Sequence, residues 1–231
     1  MINRRMLLGL GPTSGLTGIL SLPVICLPAA LGPLDPYFGS ILLLPAIAAV
    51  IAVGVVSLGF LSSRGWFEIY LRRECLTGVV LAATLATLFA VAVILIDLRV
   101  VFPYVHVPPP QALLFYPAMA FAAEIVFHAL PLALLLVVLG PLFKTLDSDR
   151  LVWWCSLLTS CLEPIFQMGW GFSKEPFSWA DVYVGLHVFA FNFLQLYVFR
   201  RYDFVSMYAF RLVYYIEWHI VWGYVRLQVL F

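Results

Sequence analysis

The chain has 231 residues, of which 64% are hydrophobic and 11% are charged, and its mean hydropathy is +1.02. These values lie far outside the usual composition of soluble globular domains, so they indicate a protein whose solvent is lipid. A net charge of +1 shows no bias toward nucleic acid or acidic partners. The four cysteines lack the spacing of a metal site or a disulfide framework, and we interpret them as buried small hydrophobes.

Seven stretches of the chain are apolar and long enough to be membrane helices, since crossing a hydrocarbon core of roughly 30 Å takes about 20 residues. They predict an all-α fold, a polytopic membrane helical bundle of about seven transmembrane helices, with residues 1–231 as a single integral membrane domain. The first stretch contains prolines but is kept as a helix, because no clear signal-peptide cleavage site follows it. The predicted helices cover residues 14–33, 38–60, 76–98, 111–140, 151–170, 181–199 and 204–226.

Arginine and lysine are distributed unequally over the connections between these helices. With the N-terminus in the cytoplasm, only Arg99, Lys174 and Arg226 fall on the opposite side. This positive-inside bias predicts a cytoplasmic N-terminus and a C-terminus on the opposite side. The stretch from Ser62 to Cys75, rich in aromatic residues and arginine, predicts a short interfacial helix. The cytoplasmic side then holds Arg4, Arg5, Arg64, Arg72, Arg73, Lys144, Arg150, Arg200 and Arg201.

Ionisable side chains inside the predicted helices are the strongest functional signal, because each costs about 2.5–3.5 kcal/mol at the centre of a membrane helix. A rise of about 1.5 Å per residue places several of them in one slab, slightly outward of the midplane. The slab contains Glu124, His128, Glu163 and His219, with His187 near the same level. Glu124 and His128 are four residues apart and therefore share one helix face.

A second tier of polar residues lies on the same helices. Gln167 follows Glu163 by four residues and shares its face. We interpret His187 and Asn192 mainly as hydrogen-bonding residues between helices. Arg211 lies about 11 Å from the cytoplasmic end of its helix, so its side chain is expected mainly to snorkel to the surface.

The region around Glu124 resembles the CPBP intramembrane proteases, also called the CAAX-processing and bacteriocin-processing or Abi family. The first motif of that family is Glu-Glu-x-x-x-Arg, and residues 123–128 read Ala-Glu-Ile-Val-Phe-His. The second glutamate and the phenylalanine match, whereas Ala123 replaces the first glutamate and His128 replaces the arginine. The resemblance covers about residues 111–226, and the last segment looks like the end of divergent bacterial members. It implies a bacterial-type inner (plasma) membrane location.

The second and third family motifs are also changed. Glu163 or Gln167 would take the place of the histidine in Phe-x-x-x-His. His219 would begin the third motif, His-x-x-x-Asn, with Gly223 in the place of the asparagine. His187 and Asn192 are a competing match for this motif, with a spacing one residue too long.

The resemblance implies an intramembrane glutamic-type endopeptidase that hydrolyses a membrane-embedded, prenylated or otherwise hydrophobic peptide. Glu124 would be the general base, and His219 would orient water or stabilise the oxyanion. Glu163 would replace a histidine, and His128 would assist Glu124. The expected partners are the lipid bilayer and a hydrophobic peptide or membrane-protein substrate, with no nucleic acid.

Three alternatives remain open. Ala123 and Gly223 favour a catalytically inactive relative that serves as a structural or accessory subunit of a larger membrane complex, with histidines that ligate a pigment or haem. A proton-relaying transporter is a weaker alternative, because the sequence contains no internal repeat. No cofactor is assured, but the set Glu124, His128, Glu163 and His219 is chemically suited to a divalent metal such as zinc or iron.

Overall fold

The computed structural model describes residues 40–103, 105–143, 147–170 and 178–230, and the regular structure within these ranges is entirely helical. Two long helices change into π-helix partway along their length. The first six elements are α1 (Ser40–Ser63), α2 (Cys75–Val100), α3 (Ala112–Ala123), a π-helical segment (Glu124–Ala129), α4 (Leu130–Leu142) and α5 (Ser148–Ser160). The chain continues with α6 (Leu162–Trp170), α7 (Trp179–Arg201), α8 (Phe204–Tyr215), a second π-helical segment (Ile216–Trp222) and α9 (Gly223–Val229).

Six of the predicted helices match these elements to within three residues at each end. The predicted helix over 14–33 lies outside the described residues. The predicted helix over 151–170 is divided at Cys161 into α5 and α6. Pro164 explains the division, because it has no N–H to donate to the carbonyl four residues earlier.

Four helical segments of the described chain are long and apolar enough to cross a membrane: Pro45–Ser63, Cys75–Val100, Ala112–Leu142 and Trp179–Arg201. They agree with four of the predicted transmembrane helices. The segments α5–α6 and α8–α9 do not meet the same criteria of length and composition, although they pack within the same bundle.

Helix α2 shows how side-chain size orients a membrane helix. Gly78, Ala82, Ala86 and Ala90 recur at every fourth position and are buried, and α2 packs closely against α8. Small residues let two backbones approach closely, which favours association where lipid supplies no hydrophobic driving force between helices. The opposite face of α2 exposes large apolar side chains such as Leu76, Leu88 and Leu95. Small side chains therefore mark the packed face of α2, and large apolar side chains mark the face suited to lipid.

One end of the bundle is held by the corner between α7 and α8. The Asp203 carboxylate accepts a hydrogen bond from the backbone N–H of Leu71 at 2.9 Å, and Phe204 N–H donates to the carbonyl of Glu68 at 3.0 Å. Residues 64–74 therefore form turns and irregular structure. The predicted interfacial helix is wrong, because this segment bonds to the corner instead of forming its own helical ladder.

The opposite end is held by Asp97, a fully buried residue near the end of α2. Its carboxylate accepts hydrogen bonds from Arg226 at 2.9 Å, from the indole N–H of Trp222 at 2.7 Å and from the backbone N–H of Phe102 at 2.8 Å. These bonds join α2 to the second π-helical segment and to α9. The charge of Arg226 is buried but paired.

In the structure, the connections that carry most of the arginines lie at one end of the bundle. Arg201 contacts Glu74 at 2.7 Å, and Arg200 contacts both Asp149 and the carbonyl of Trp66. These bonds bring the connection between α1 and α2, the start of α5 and the end of α7 to one end of the bundle. The arginines there are Arg64, Arg72, Arg73, Arg150, Arg200 and Arg201, whereas Arg99 and Arg226 lie toward the other end.

The close approach of α2 and α8 gives a first prediction. A Cβ atom added at Gly78 would meet Ser206 Oγ and would lie 2.8 Å from Tyr202 Cγ. We expect Gly78→Ala to destabilise the protein by about 1–3 kcal/mol through overpacking, measured by thermal unfolding in detergent. Gly140→Ala is the matched control, because no atom of the described residues outside its own helical backbone lies within 4 Å of its added Cβ. Equal unfolding temperatures for the two variants would contradict this packing.

Candidate functional site

The polar residues inside the bundle meet around Arg211 of α8, whose side chain is 2% exposed. Its Nε donates to Glu124 Oε1 at 2.6 Å, and its terminal nitrogens donate to the two carboxylate oxygens of Glu163 at 2.9 and 2.8 Å. The planar guanidinium thus binds Glu163 at two points. The expectation that Arg211 snorkels to the surface is wrong, because two buried carboxylates compensate its charge inside the bundle.

Two amides of α7 complete the acceptors around Arg211. Its Nη2 donates to Gln195 Oε1 at 2.9 Å and to Asn192 Oδ1 at 3.2 Å, while Nη1 donates to the Tyr215 hydroxyl at 3.3 Å. Gln195 also donates to Glu124 Oε1. A guanidinium has five N–H donors, and these contacts occupy all of them. We call Glu124, Glu163, Asn192, Gln195 and Arg211 the Arg211 cluster.

His128 adjoins the Arg211 cluster through Glu124. Its Nδ1 lies 2.9 Å from Glu124 Oε2, and both side chains are fully buried. The distance suits an ion pair, but the angle is not that of a hydrogen bond, and His128 Nε2 has no hydrogen-bond partner among the described residues. Two carboxylates face one guanidinium, so with both carboxylates ionised the Arg211 cluster carries one net negative charge next to the His128 ring.

Both π-helical segments contain ionisable residues. Glu124 and His128 lie in the first, and Glu217 and His219 lie in the second. Local π-helix inserts an extra residue into a helical turn and is frequently found at functional sites. Glu217 faces α2, where Thr87 Oγ1 donates to it at 2.7 Å.

His219 belongs to a separate aromatic set. Its Nδ1 lies 3.2 Å from Nδ1 of His106, and its ring stacks on Tyr116 with centroids 4.6 Å apart. A Cβ atom at Gly223 would come within 2.8 Å of His106 Cγ. Gly223 therefore makes room for an imidazole. Sequence reasoning missed His106, because it lies in a connection between predicted helices and no pattern within the helices points to it.

A cavity of about 200 Å³ adjoins the Arg211 cluster. Glu163, Gln167 and Arg211 line one part of it, and His187 and His219 line others. Gln167 Nε2 donates to Glu163 Oε1 at 3.2 Å, as their four-residue spacing predicts. Glu124 and His128 are not among the described residues that line this cavity.

His187 sits between two tyrosines at the cavity wall. Its Nδ1 lies 3.1 Å from the Tyr183 hydroxyl, and its Nε2 lies 3.3 Å from the Tyr214 hydroxyl. Tyr183 precedes it on α7, and Tyr214 is on α8. The expectation that His187 bonds to another helix is thus met by Tyr214. We call these three residues the Tyr–His–Tyr chain.

The structure thus divides the predicted site residues into two groups. Glu124, His128 and Glu163 come together with Asn192 and Arg211, and Gln167 touches the group through Glu163. His187 and His219 lie along the cavity instead. In the described part of the chain, no three His, Cys, Asp or Glu side chains are grouped so that they could hold a metal ion. The carboxylates of the metal alternative bind Arg211.

Over the residues that the structure describes, the fold and this site define an all-helical bundle with four helices suited to span a membrane and a buried ion cluster among its helices. Comparison with known proteins adds no relative, since no family model, curated protein or solved structure matches the chain. The resemblance to the CPBP proteases therefore rests on the sequence motifs alone.

Removal of the central cation gives a second prediction. Arg211→Met leaves Glu124 and Glu163 buried without their cation, and breaking a buried ion pair in this way costs about 3–5 kcal/mol. We expect a large decrease in the thermal unfolding temperature in detergent. Replacing the three charged residues together, as Glu124→Gln, Glu163→Gln and Arg211→Met, should restore part of the loss because no uncompensated charge remains.

The matched control is Arg201→Met, which breaks an ion pair with Glu74 on the exposed end of the bundle. Such pairs contribute little, so its unfolding temperature should stay close to that of the native protein. If Arg211→Met had the same unfolding temperature as the native protein, the central role of Arg211 would be contradicted.

The connection that carries His106 gives a third prediction. Burial lowers the pKa of His106 from 6.5 to about 4; Arg226 also lowers it, and Asp97 opposes the change. The unfolded chain therefore binds more protons between these values, so this histidine's contribution to stability is lost as the pH falls from about 6.5 to about 4. His106→Phe keeps a ring against Gly223 but removes the titration.

Thermal unfolding of both proteins across this pH range tests the prediction. The native protein should lose more stability than His106→Phe as the pH falls, while the difference between them stays constant above about pH 6.5. Parallel curves over the whole range would contradict it.

Proposed function

We propose that this chain is a catalytically inactive relative of the CPBP proteases that acts as a structural or accessory subunit of a larger membrane complex. The observation that supports this most is the binding of both candidate catalytic carboxylates, Glu124 and Glu163, by the single guanidinium of Arg211. The cluster joins four helical segments and leaves its carboxylates engaged with protein groups.

The surroundings of Glu124 are unsuited to a general base. A general base needs an oxygen within hydrogen-bond reach of the attacking water. Glu124 Oε1 accepts from Arg211 and Gln195, and Oε2 lies against His128. Protonation of Glu124, which base catalysis requires, would also deprive Arg211 of one of its two carboxylates.

The changed motifs support the same proposal. The spacing of His-x-x-x-Asn also fits Arg211 and Tyr215, and Arg211 is the residue of α8 that contacts Glu124. If the third motif falls there, an arginine and a tyrosine replace its histidine and asparagine. If Glu163, rather than Gln167, takes the place of the histidine in the second motif, the histidines of the second and third motifs are both replaced in the Arg211 cluster.

We also propose a seven-helix topology in which the end that carries most of the arginines is cytoplasmic. The positive-inside rule supports this orientation, since the connections with Arg64, Arg72 and Arg150 share that end. Residues 14–33 would form the additional helix and place the N-terminus in the cytoplasm.

A second candidate function is an intramembrane endopeptidase in which Glu163, rather than Glu124, acts on water. The observation that favours it is the position of Glu163, Gln167 and His219 along one cavity. A hydrophobic peptide segment would be the substrate. In this case Glu163 would have to be released from its two bonds to Arg211.

The fourth prediction separates the two functions in cells that make the full chain. We expect Glu124→Gln and Glu163→Gln to leave the cleavage of membrane proteins unchanged, measured by comparing the peptide fragments of membranes from variant and native cells. The tagged protein should also purify in mild detergent at a fixed ratio to partner subunits. Loss of one specific cleavage in Glu163→Gln, with the protein still folded, would replace this proposal with the endopeptidase.

Glu217→Gln is the matched control, because Glu217 bonds to Thr87 outside the Arg211 cluster. A cleavage that disappears in Glu124→Gln or Glu163→Gln but persists in Glu217→Gln marks catalysis. A purified protein that carries no partner at a fixed ratio would contradict the accessory role.

A further inference from the structure

We propose that the cavity beside the Arg211 cluster binds the ring headgroup of an isoprenoid quinone taken up from the membrane. This goes beyond the accessory role and does not rest on it. Val93 of α2 and Val184 and Val188 of α7 line the cavity, and all three belong to segments suited to span a membrane. The cavity therefore lies between helices at a depth in the membrane where a ligand dissolved in the bilayer can reach it.

The size and the walls of the cavity suit one flat ring. Its volume of about 200 Å³ is below the range of roughly 300–1,000 Å³ that holds drug-sized ligands. Phe191, Tyr214 and Trp218 supply aromatic walls, against which a conjugated ring packs favourably. A large macrocycle fits this volume poorly, and both ring nitrogens of His187 already face tyrosines. The idea that His187 ligates haem or a pigment is therefore disfavoured.

A count of protons in the Tyr–His–Tyr chain shows that it has a donor to spare. With a neutral imidazole, Tyr183, His187 and Tyr214 carry three polar hydrogens, one on each residue. The two contacts between them use only two of these hydrogens. Whichever tautomer is present, one tyrosine hydroxyl accepts from His187 and keeps its own hydrogen for another acceptor. Since both tyrosines line the cavity, a carbonyl oxygen of the ligand is a suitable acceptor.

Gln167 offers a second donor to the same cavity. Its amide nitrogen carries two hydrogens, and its contact with Glu163 Oε1 uses one of them. Gln167 is on α6, whereas the Tyr–His–Tyr chain is on α7 and α8. Donors on different helices around one cavity suit a ring that has an acceptor oxygen on each of two sides, as a quinone does.

The charges near the cavity favour a neutral ligand. The N–H groups of Arg211 are occupied by protein acceptors, so the guanidinium offers little to an anion. Both oxygens of Glu163 also accept hydrogen bonds, which leaves no open carboxylate for a cation. A neutral molecule with acceptor oxygens needs neither a free N–H group of Arg211 nor a free oxygen of Glu163.

The test measures binding of short-chain ubiquinone and menaquinone analogues to the purified full chain in detergent, by saturable quenching of tryptophan fluorescence. We expect Gln167→Leu, and Tyr183→Phe combined with Tyr214→Phe, each to weaken binding about fivefold to tenfold, as the loss of a hydrogen bond does. Val188→Trp should abolish binding by filling the cavity. Tyr197→Phe, a partly exposed tyrosine of α7 outside the cavity, is the matched control and should change nothing.

An isoprenyl benzene without carbonyl oxygens separates hydrogen bonding from simple partition into an apolar space. It should bind at least tenfold more weakly than the quinone of the same shape. Saturable quinone binding that Val188→Trp abolishes, and that at least one donor variant weakens, supports the proposal. The proposal is overturned by the absence of saturable binding, by equal binding of the benzene analogue, by binding that persists in Val188→Trp, or by binding that neither donor variant weakens. Thermal unfolding of each variant confirms that it is folded.

Discussion

The burial of Arg211 constrains much of this structure. A guanidinium inside a low-dielectric bundle is tolerable only where carboxylates and hydrogen-bond acceptors surround it. Glu124, Glu163 and Gln195 supply those acceptors from the first π-helical segment, α6 and α7. Each element must therefore hold a particular rotation and depth beside α8. In lipid, where apolar contact alone selects helix partners weakly, such directional bonds help to specify one packing.

A second buried arginine, Arg226, is likewise compensated by a carboxylate, that of Asp97. Both arginines belong to the final run of helix, α8 to α9, and each binds a carboxylate that comes earlier in the chain. The ion pairs of these two arginines fix the tilt and rotation of this run, while the stripe from Gly78 to Ala90 on α2 sets how closely it packs. The ion pairs thus determine the rotation and depth of the run from α8 to α9, and small side chains determine its distance from α2.

Hydropathy and periodicity sufficed to locate six helices, because the signal for an apolar helix is local. Four-residue spacing likewise predicted the pairing of Glu124 with His128. The role of Arg211 was missed because its partners Glu163 and Glu124 lie 48 and 87 residues away, and spacing along the chain cannot show which carboxylates meet one cation. The prediction of an interfacial helix was wrong for a similar reason. Bonds to Asp203 and Phe204, which are distant in sequence, override the local preference of residues 64–74.

The buried charges of Glu163 and Arg211 are physically coherent only as a pair. Glu163 alone would place a second buried negative charge near Glu124, and Arg211 alone would lack the carboxylate that binds two of its nitrogens. Together the two side chains contribute opposite charges that cancel, so each makes the other tolerable. The compensated groups bind one another and thereby join helices. In the cavity next to them, Gln167 and the Tyr–His–Tyr chain still have hydrogens to donate to a ligand.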